Sequence, residues 1–257
     1  MVLFCFLLTA YCFAQPFAIE RISATSVPYD YYLETDEFGY KYFLKNNVII
    51  KQKDDEVFEY KNISLGKPSR IDLHNPLKIV LFYENFNTII TLDNQLNESN
   101  NINLSMYENS ILATAVGIAS QNRFWIYNSL SQKIGFYDFL NNSYNEITPP
   151  LQTSKLAYDT DFNTFFWIDA QRNINSCDIF GKISTLGIVA EFDKIQILDK
   201  QTVLILKYNK LFVNNLLNNN IEKIKINEKT IENFYYKNQI LTIFTNQELH
   251  TYKIKIP

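Results

Sequence analysis

The chain has 257 residues, 47% of them hydrophobic and 15% aromatic, enough to build a sizeable core in one all-β domain. Its 24 Lys and Arg stand against 27 Asp and Glu, a net charge of −3, so nothing draws the molecule as a whole to a phosphate backbone and a nucleic-acid partner is not expected. With 6 Gly in the chain and no Gly-rich loop motif, a phosphate-cradling nucleotide site is not expected either.

Residues 1–14 form an uncharged apolar stretch, too short to span a bilayer, that ends in Cys12-Phe13-Ala14. This pattern predicts an export signal cut after Ala14 and a periplasmic location, although Val2 and Leu3 stand where a positive start is usual. Cleavage removes Cys5 and Cys12 and leaves Cys177 as the only thiol, so the fold must hold without an intrachain disulfide. No later apolar run reaches the roughly 18 residues of a membrane span, so no direct membrane crossing is expected.

From there the chain is strand and turn. Residues 17–23 alternate apolar and polar without a unit of their own. Six units then follow at a spacing of about 40 residues, the period of a propeller blade. Their innermost strands are predicted over 29–34, 70–74, 111–118, 155–159, 194–198 and 231–235, each followed by an apolar hairpin and, in all but the last, a polar outer strand. The clearest hairpins pair 79–83 with 88–92, 124–127 with 134–138, and 164–169 with 174–179. The last unit, 240–245 with 249–255, reaches the C-terminus without a fourth strand, and 17–23 is predicted to supply it. The expected fold is therefore all-β, a six-bladed β-propeller closed by an N-terminal strand, with 15–257 as one domain. The alternative is five blades plus an irregular N-terminal element, because 40–63, with Asp54-Asp55-Glu56, matches the template worst. The abundant Asn residues are expected at turns, where Asn tolerates the left-handed conformation that so few Gly cannot cover.

Few residues carry chemistry. Asp72 and His74 lie two apart on an inner strand, so both side chains share one face, toward a neighbouring blade or the central channel. That spacing could serve an orienting hydrogen bond or part of a metal site, but capping of the turn before Pro76 is the reading the residues favour. His250 has no evident acidic partner. Asp159 and Asp161 are expected to cap the turn before Phe162, since no calcium-loop pattern surrounds them. Cys177 has neither a base nor a positive neighbour and is expected to be a packed thiol. Trp125 and Trp167 occupy equivalent hairpin positions, which suits packing between blades better than a sugar platform. Phe38 and Phe86 fall in turns, with no core to enter, and are the candidate partner-binding residues. No catalytic residue, cofactor or metal ligand set is assigned.

Three phrases, Asp72-Leu73-His74-Asn75-Pro76-Leu77-Lys78-Ile79-Val80, Ser120-Gln121-Asn122-Arg123-Phe124-Trp125-Ile126 and Cys177-Asp178-Ile179-Phe180-Gly181-Lys182, resemble a family of exported propeller-like proteins of Bacteroidota. That family in turn resembles the plug subunit at the periplasmic mouth of the type 9 secretion translocon. The resemblance implies a non-catalytic docking propeller whose partner is an outer-membrane protein complex, and it carries over no binding residue. Lactonase-type propellers are similar in general form, but their acidic and Asn metal ligands have no counterparts in this sequence. The competing expectations are a metal-dependent hydrolase using His74, Asp72 or Asp159, and a carbohydrate-binding propeller.

Overall fold

The computed structural model describes residues 17–107, 110–151 and 155–256; the expected export signal at 1–14 lies outside the described residues. Six four-stranded antiparallel sheets stand in a ring, a six-bladed β-propeller. The first strand, β1 (Ile19–Ser26), does not pair with the strand that follows it. Blade 1 comprises β2 (Tyr31–Thr35), β3 (Lys41–Lys45), β4 (Val48–Lys53) and β5 (Glu56–Tyr60). Blade 2 comprises β6 (Arg70–Asp72), β7 (Ile79–Tyr83), β8 (Thr88–Leu92) and β9 (Glu98–Asn103). Blade 3 is β10 (Ala113–Ala119), β11 (Arg123–Asn128), β12 (Lys133–Asp138) and β13 (Ser143–Glu146). Blade 4 is β14 (Lys155–Thr160), β15 (Thr164–Asp169), β16 (Asn173–Asp178) and β17 (Ile183–Ile188). Blade 5 is β18 (Lys194–Ile197), β19 (Thr202–Lys207), β20 (Lys210–Asn215) and β21 (Asn220–Lys223). Blade 6 holds β22 (Asn233–Lys237), β23 (Ile240–Thr245) and β24 (Glu248–Ile254), with β1 as its outer strand.

The apolar runs of the sequence are the middle strands, because these are covered on both sides. In β7, Ile79, Leu81 and Tyr83 join a cluster shared with blade 1, while Val80 and Phe82 join the cluster shared with blade 3. Period-2 alternation thus feeds two dry interfaces at once, and the strand reads as unbroken apolar sequence. One such cluster fills each of the six interfaces. Trp125 and Trp167 both lie in the cluster between blades 3 and 4, and the Trp125 indole N–H donates to the Asp161 carbonyl at 2.8 Å. The expectation of packing between blades is met.

Closure follows the predicted plan. β1 pairs antiparallel with β24 from Ile19 opposite Ile254 to Ser26 opposite Glu248, with a bulge between Arg21 and Ser23. Blade 1 is a regular four-stranded sheet, so the five-blade alternative fails; the acidic Asp54-Asp55 is simply the polar turn between β4 and β5. The inner strands of blades 1 and 2 are shorter than expected. β2 starts at Tyr31, and β6 stops at Asp72, whose carboxylate takes the His74 backbone N–H at 3.0 Å and turns the chain ahead of Pro76.

Asn does the turn work that glycine usually does. Asn46-Asn47, Tyr208-Asn209 and Asn238-Gln239 are two-residue hairpin turns with φ positive at both positions, the type I′ pattern that matches strand twist. Strands alternate in direction, so the first and third turns of every blade lie at one end of the sheet and the second turn at the other. The face where the inner strands begin is termed the upper face, and the opposite one the lower face. Third turns also lean on the preceding blade: at Gly181, φ +82°, a Cβ would sit 2.1 Å from the Ile147 carbonyl oxygen. Only glycine permits that approach.

Candidate functional site in the central channel

The inner strands place their charged residues around the ring axis, and these bond mainly to one another. Asp72 is fully buried. Its Oδ1 accepts from His74 Nδ1 at 2.9 Å and from the His74 backbone N–H, while its Oδ2 accepts from the Ile118 N–H at 2.8 Å and the Thr160 hydroxyl at 3.3 Å. One carboxylate therefore ties blades 2, 3 and 4 together. Burial works to raise its pKa, but the His74 hydrogen bond and charge, with Arg70 and the Ile118 N–H, hold it at about 2. For His74, burial works to lower the pKa, and the bond to Asp72 with the surrounding carboxylates lifts it to about 9.

A second pair crosses the channel. The Arg70 guanidinium from blade 2 donates to Asp159 of blade 4 and lies 5.1 Å over the Tyr158 ring. The sequence expectation that Asp159 and Asp161 both cap the turn is half right. Asp161 accepts the Asn163 and Thr164 N–H groups at 2.7 Å each, whereas Asp159 is committed to a cation that only the ring brings near.

Glu34, on β2 of blade 1, completes the group. Burial raises its carboxyl to about 7, against the opposing pull of His74 and Lys237. Its Oε1 is buried without a hydrogen-bond partner, and burial together with the Glu34 charge raises the neighbouring Tyr235 phenol. Sequence reasoning passed over Glu34 and Arg70. The available signal was position: a charged residue within an inner propeller strand faces either the channel or a neighbouring blade near it.

Gly117 is the residue that makes the Asp72 contacts possible. A Cβ there would lie 1.9 Å from Thr160 Oγ1 and 2.9 Å from Asp72 Oδ2. Gly117→Ala is expected to cost about 1–3 kcal/mol by overpacking, read as a lowered midpoint in urea denaturation. A midpoint equal to the wild type's would mean that Thr160 and Asp72 have slack that the packing does not suggest.

The other singled-out residues lie away from the channel. His250 does have acidic neighbours, contrary to expectation: Glu248 Oε2 is 3.2 Å from its Nε2 and Glu228 Oε1 is 3.4 Å from its Nδ1. Glu248 was legible, two positions earlier on the same strand face; Glu228 comes from the segment before β22. The Arg21 guanidinium lies 2.7 Å from His250 Nδ1, so this node pins the closing strand. Cys177 is buried and its thiol is pushed up to about 12 by burial and by Asp178, so it is a packed residue. Phe38 and Phe86 are 48% and 47% exposed, in the first turn of blade 1 and the second turn of blade 2, hence on opposite faces. Among the described residues, no group of three or more His, Cys, Asp or Glu side chains is arranged to hold a metal ion, and no helix is long and apolar enough to cross a membrane.

No protein-family profile and no curated protein matches the sequence. Solved structures are similar in fold. A catalytically inactive virginiamycin B lyase from Staphylococcus aureus, determined with quinupristin, superposes at TM-score 0.57 and 12% identity, over 92% of this chain and 99% of that one. A member of the DUF4221 family from Bacteroides vulgatus superposes at 0.57 and 10% identity, over 92% and 98%. PorZ of Porphyromonas gingivalis, a bacterial surface component of the type IX secretion system, gives 0.47 at 11% identity over 86% of this chain and 36% of PorZ, too loose a likeness to support an argument. At these identities the shared property is the propeller, a fold that hosts unrelated functions.

Proposed function

We propose that the protein is a non-catalytic, exported docking module whose lower face engages a partner protein. One observation carries this reading. In blades 3, 4 and 5 the third turn begins with Asp138, Asp178 or Asn215, whose side-chain oxygen accepts the N–H two residues on. The residue so presented is Leu140, Phe180 or Leu217, and these are 69%, 86% and 69% exposed. In blade 2 the same turn, capped by Asp93, presents Gln95 instead. Large apolar side chains held outward by a fixed turn in three successive blades are the anchors this reading assigns to a partner. Phe38 shares the lower face and belongs to the proposed surface; Phe86 stands on the upper face.

In the channel, Asp72 is paired with His74 and Arg70 with Asp159. The resemblance noted in the sequence supplies the partner class, an outer-membrane complex such as the periplasmic side of a type 9 secretion channel. The test is affinity capture from envelope extracts with wild type, with Leu140→Ser/Phe180→Ser/Leu217→Ser, and with Phe86→Ser. The expected outcome is a large outer-membrane protein retained by wild type and Phe86→Ser and lost, at least tenfold, from the triple variant, whose melting temperature is unchanged. Recovery of wild type as a free monomer, or equal retention by the triple variant, would overturn the reading.

A further inference from the structure

The seam where the ring closes, between blade 6 and blade 1, is packed with apolar side chains only over its upper part. There Phe244 and Leu249 of blade 6 meet Tyr32, Phe43 and Ile50 of blade 1. Side chains two apart on a strand share a face, so this face of blade 6 continues toward the lower end with Thr242, two before Phe244, and Thr251, two after Leu249. Thr242 stands opposite both Tyr235 and Thr251, and Thr251 stands opposite Ser23 of the closing strand. Residues directly opposite one another point the same way, so four hydroxyls make one row across all four strands of the blade. The same two-residue step leads from Phe43 to Lys41 on blade 1 and from Tyr235 to Lys237 on blade 6.

The hydroxyl row, Lys41 and Lys237 all line one cleft of about 300 Å³. Asp36 and Asn238, in the first turns of blades 1 and 6, line it too, so it opens at the lower face. Neither lysine has an acidic side chain within ion-pair distance among the described residues. Asp36 is committed to its own turn: Oδ1 accepts the Phe38 and Tyr40 N–H groups at 2.9 Å each, and Oδ2 accepts the Tyr42 hydroxyl at 2.9 Å. Glu34 feels the Lys237 charge but lies beyond ion-pair distance from it. A wall of hydroxyls offers little to an apolar ligand and much to a hydroxylated one, with the Tyr32 and Tyr235 rings as flat surfaces beside it. Two ammonium groups without an acid add a preference for negative charge.

We propose that the cleft between blades 6 and 1 binds a saccharide unit that carries a carboxylate, a uronic acid, with its hydroxyls on the Tyr235, Thr242, Thr251 and Ser23 row and its carboxylate toward Lys41 and Lys237. A simple anion would use the lysines and leave the hydroxyl row idle; a neutral sugar would do the reverse. The proposal does not rest on the docking reading, whose anchors Leu140, Phe180 and Leu217 belong to blades 3, 4 and 5.

The test is titration of the purified protein with D-glucuronate and, separately, with D-glucose and with acetate, at ionic strength held constant by sodium chloride and read by calorimetry. Glucuronate is expected to bind saturably, and glucose and acetate each at least tenfold more weakly. Lys41→Gln/Lys237→Gln should lower glucuronate affinity to the level of glucose. Ser23→Ala/Thr251→Val, which removes two hydroxyls from positions that are exposed and half-buried, should weaken glucuronate at least threefold and leave its melting temperature unchanged. Amide resonances of wild type give a readout that needs no variant: those of Ser23, Asn238 and Thr251 should shift along the glucuronate titration while those of Leu140 and Phe180 stay in place. No saturable response to glucuronate, equal binding of glucose or acetate, unchanged affinity in either double variant, or resonances of the cleft that do not move would each overturn the assignment.

Discussion

Asp72→Ala is expected to lower the unfolding free energy by about 3–5 kcal/mol, the cost of breaking a buried, hydrogen-bonded charge pair from one side. The loss has several sources. His74 loses the carboxylate that chiefly holds its proton, and the Ile118 N–H and Thr160 hydroxyl lose the carboxylate oxygen that they share between their blades. Asp72→Asn should cost less, since the amide oxygen can still serve part of this set. Urea denaturation of the two variants at neutral pH measures the difference. An exposed ion pair would contribute about 0–1 kcal/mol, so a cost below that level for Asp72→Ala would show that the three blades are held by apolar packing alone.

Stability is expected to decline as pH rises from about 5 to 9, in two limbs with different owners. Glu34 has a folded-state pKa of about 7 against an ordinary 4.5, so its contribution is complete below 4.5 and is lost as pH climbs through 7. His74, at about 9 against 6.5, gives up its contribution between those two values. Asp72 acts in the opposite sense: held at about 2 against 3.8, it contributes above 3.8 and loses that contribution as pH falls through 2. The cluster is therefore most stabilising near pH 4 to 5, on the values of these three groups. Glu34→Gln should erase the limb below pH 7 and leave the variant more stable than wild type at about pH 8, by up to about 3 kcal/mol. Urea midpoints across the pH range read this directly. A variant profile that overlays the wild type would mean that Glu34 ionises freely, with water reaching its buried oxygen.

The blades were legible because local chemistry and global architecture agree at each of them. β7 is an unbroken apolar run and β8 departs from one only at Thr88 and Thr91, since neighbours cover both faces, and the turns between strands carry Asn where positive φ is needed. Closure was legible from what was missing, a last unit one strand short and a first segment without a unit. The channel was legible only in part. Asp72 and His74 were found because they stand two apart in sequence, although a turn capped by Asp72, not a shared strand face, brings their side chains together. Arg70 and Asp159 are separated by 89 positions and two blades, so no spacing rule could pair them.

Sequence alone pointed to the propeller and to the strand that closes it, since these follow from a period of about 40 residues and from hydrophobic alternation, both properties of neighbouring residues; the regular sheet of blade 1 decided six blades over five. Tertiary structure alone decided which charges meet, which lysines go without an acid and which turn residues share a face. Such facts depend on six separate strands meeting around one axis. Distances across that axis are set by how the blades pack, and packing relates residues that no local pattern connects.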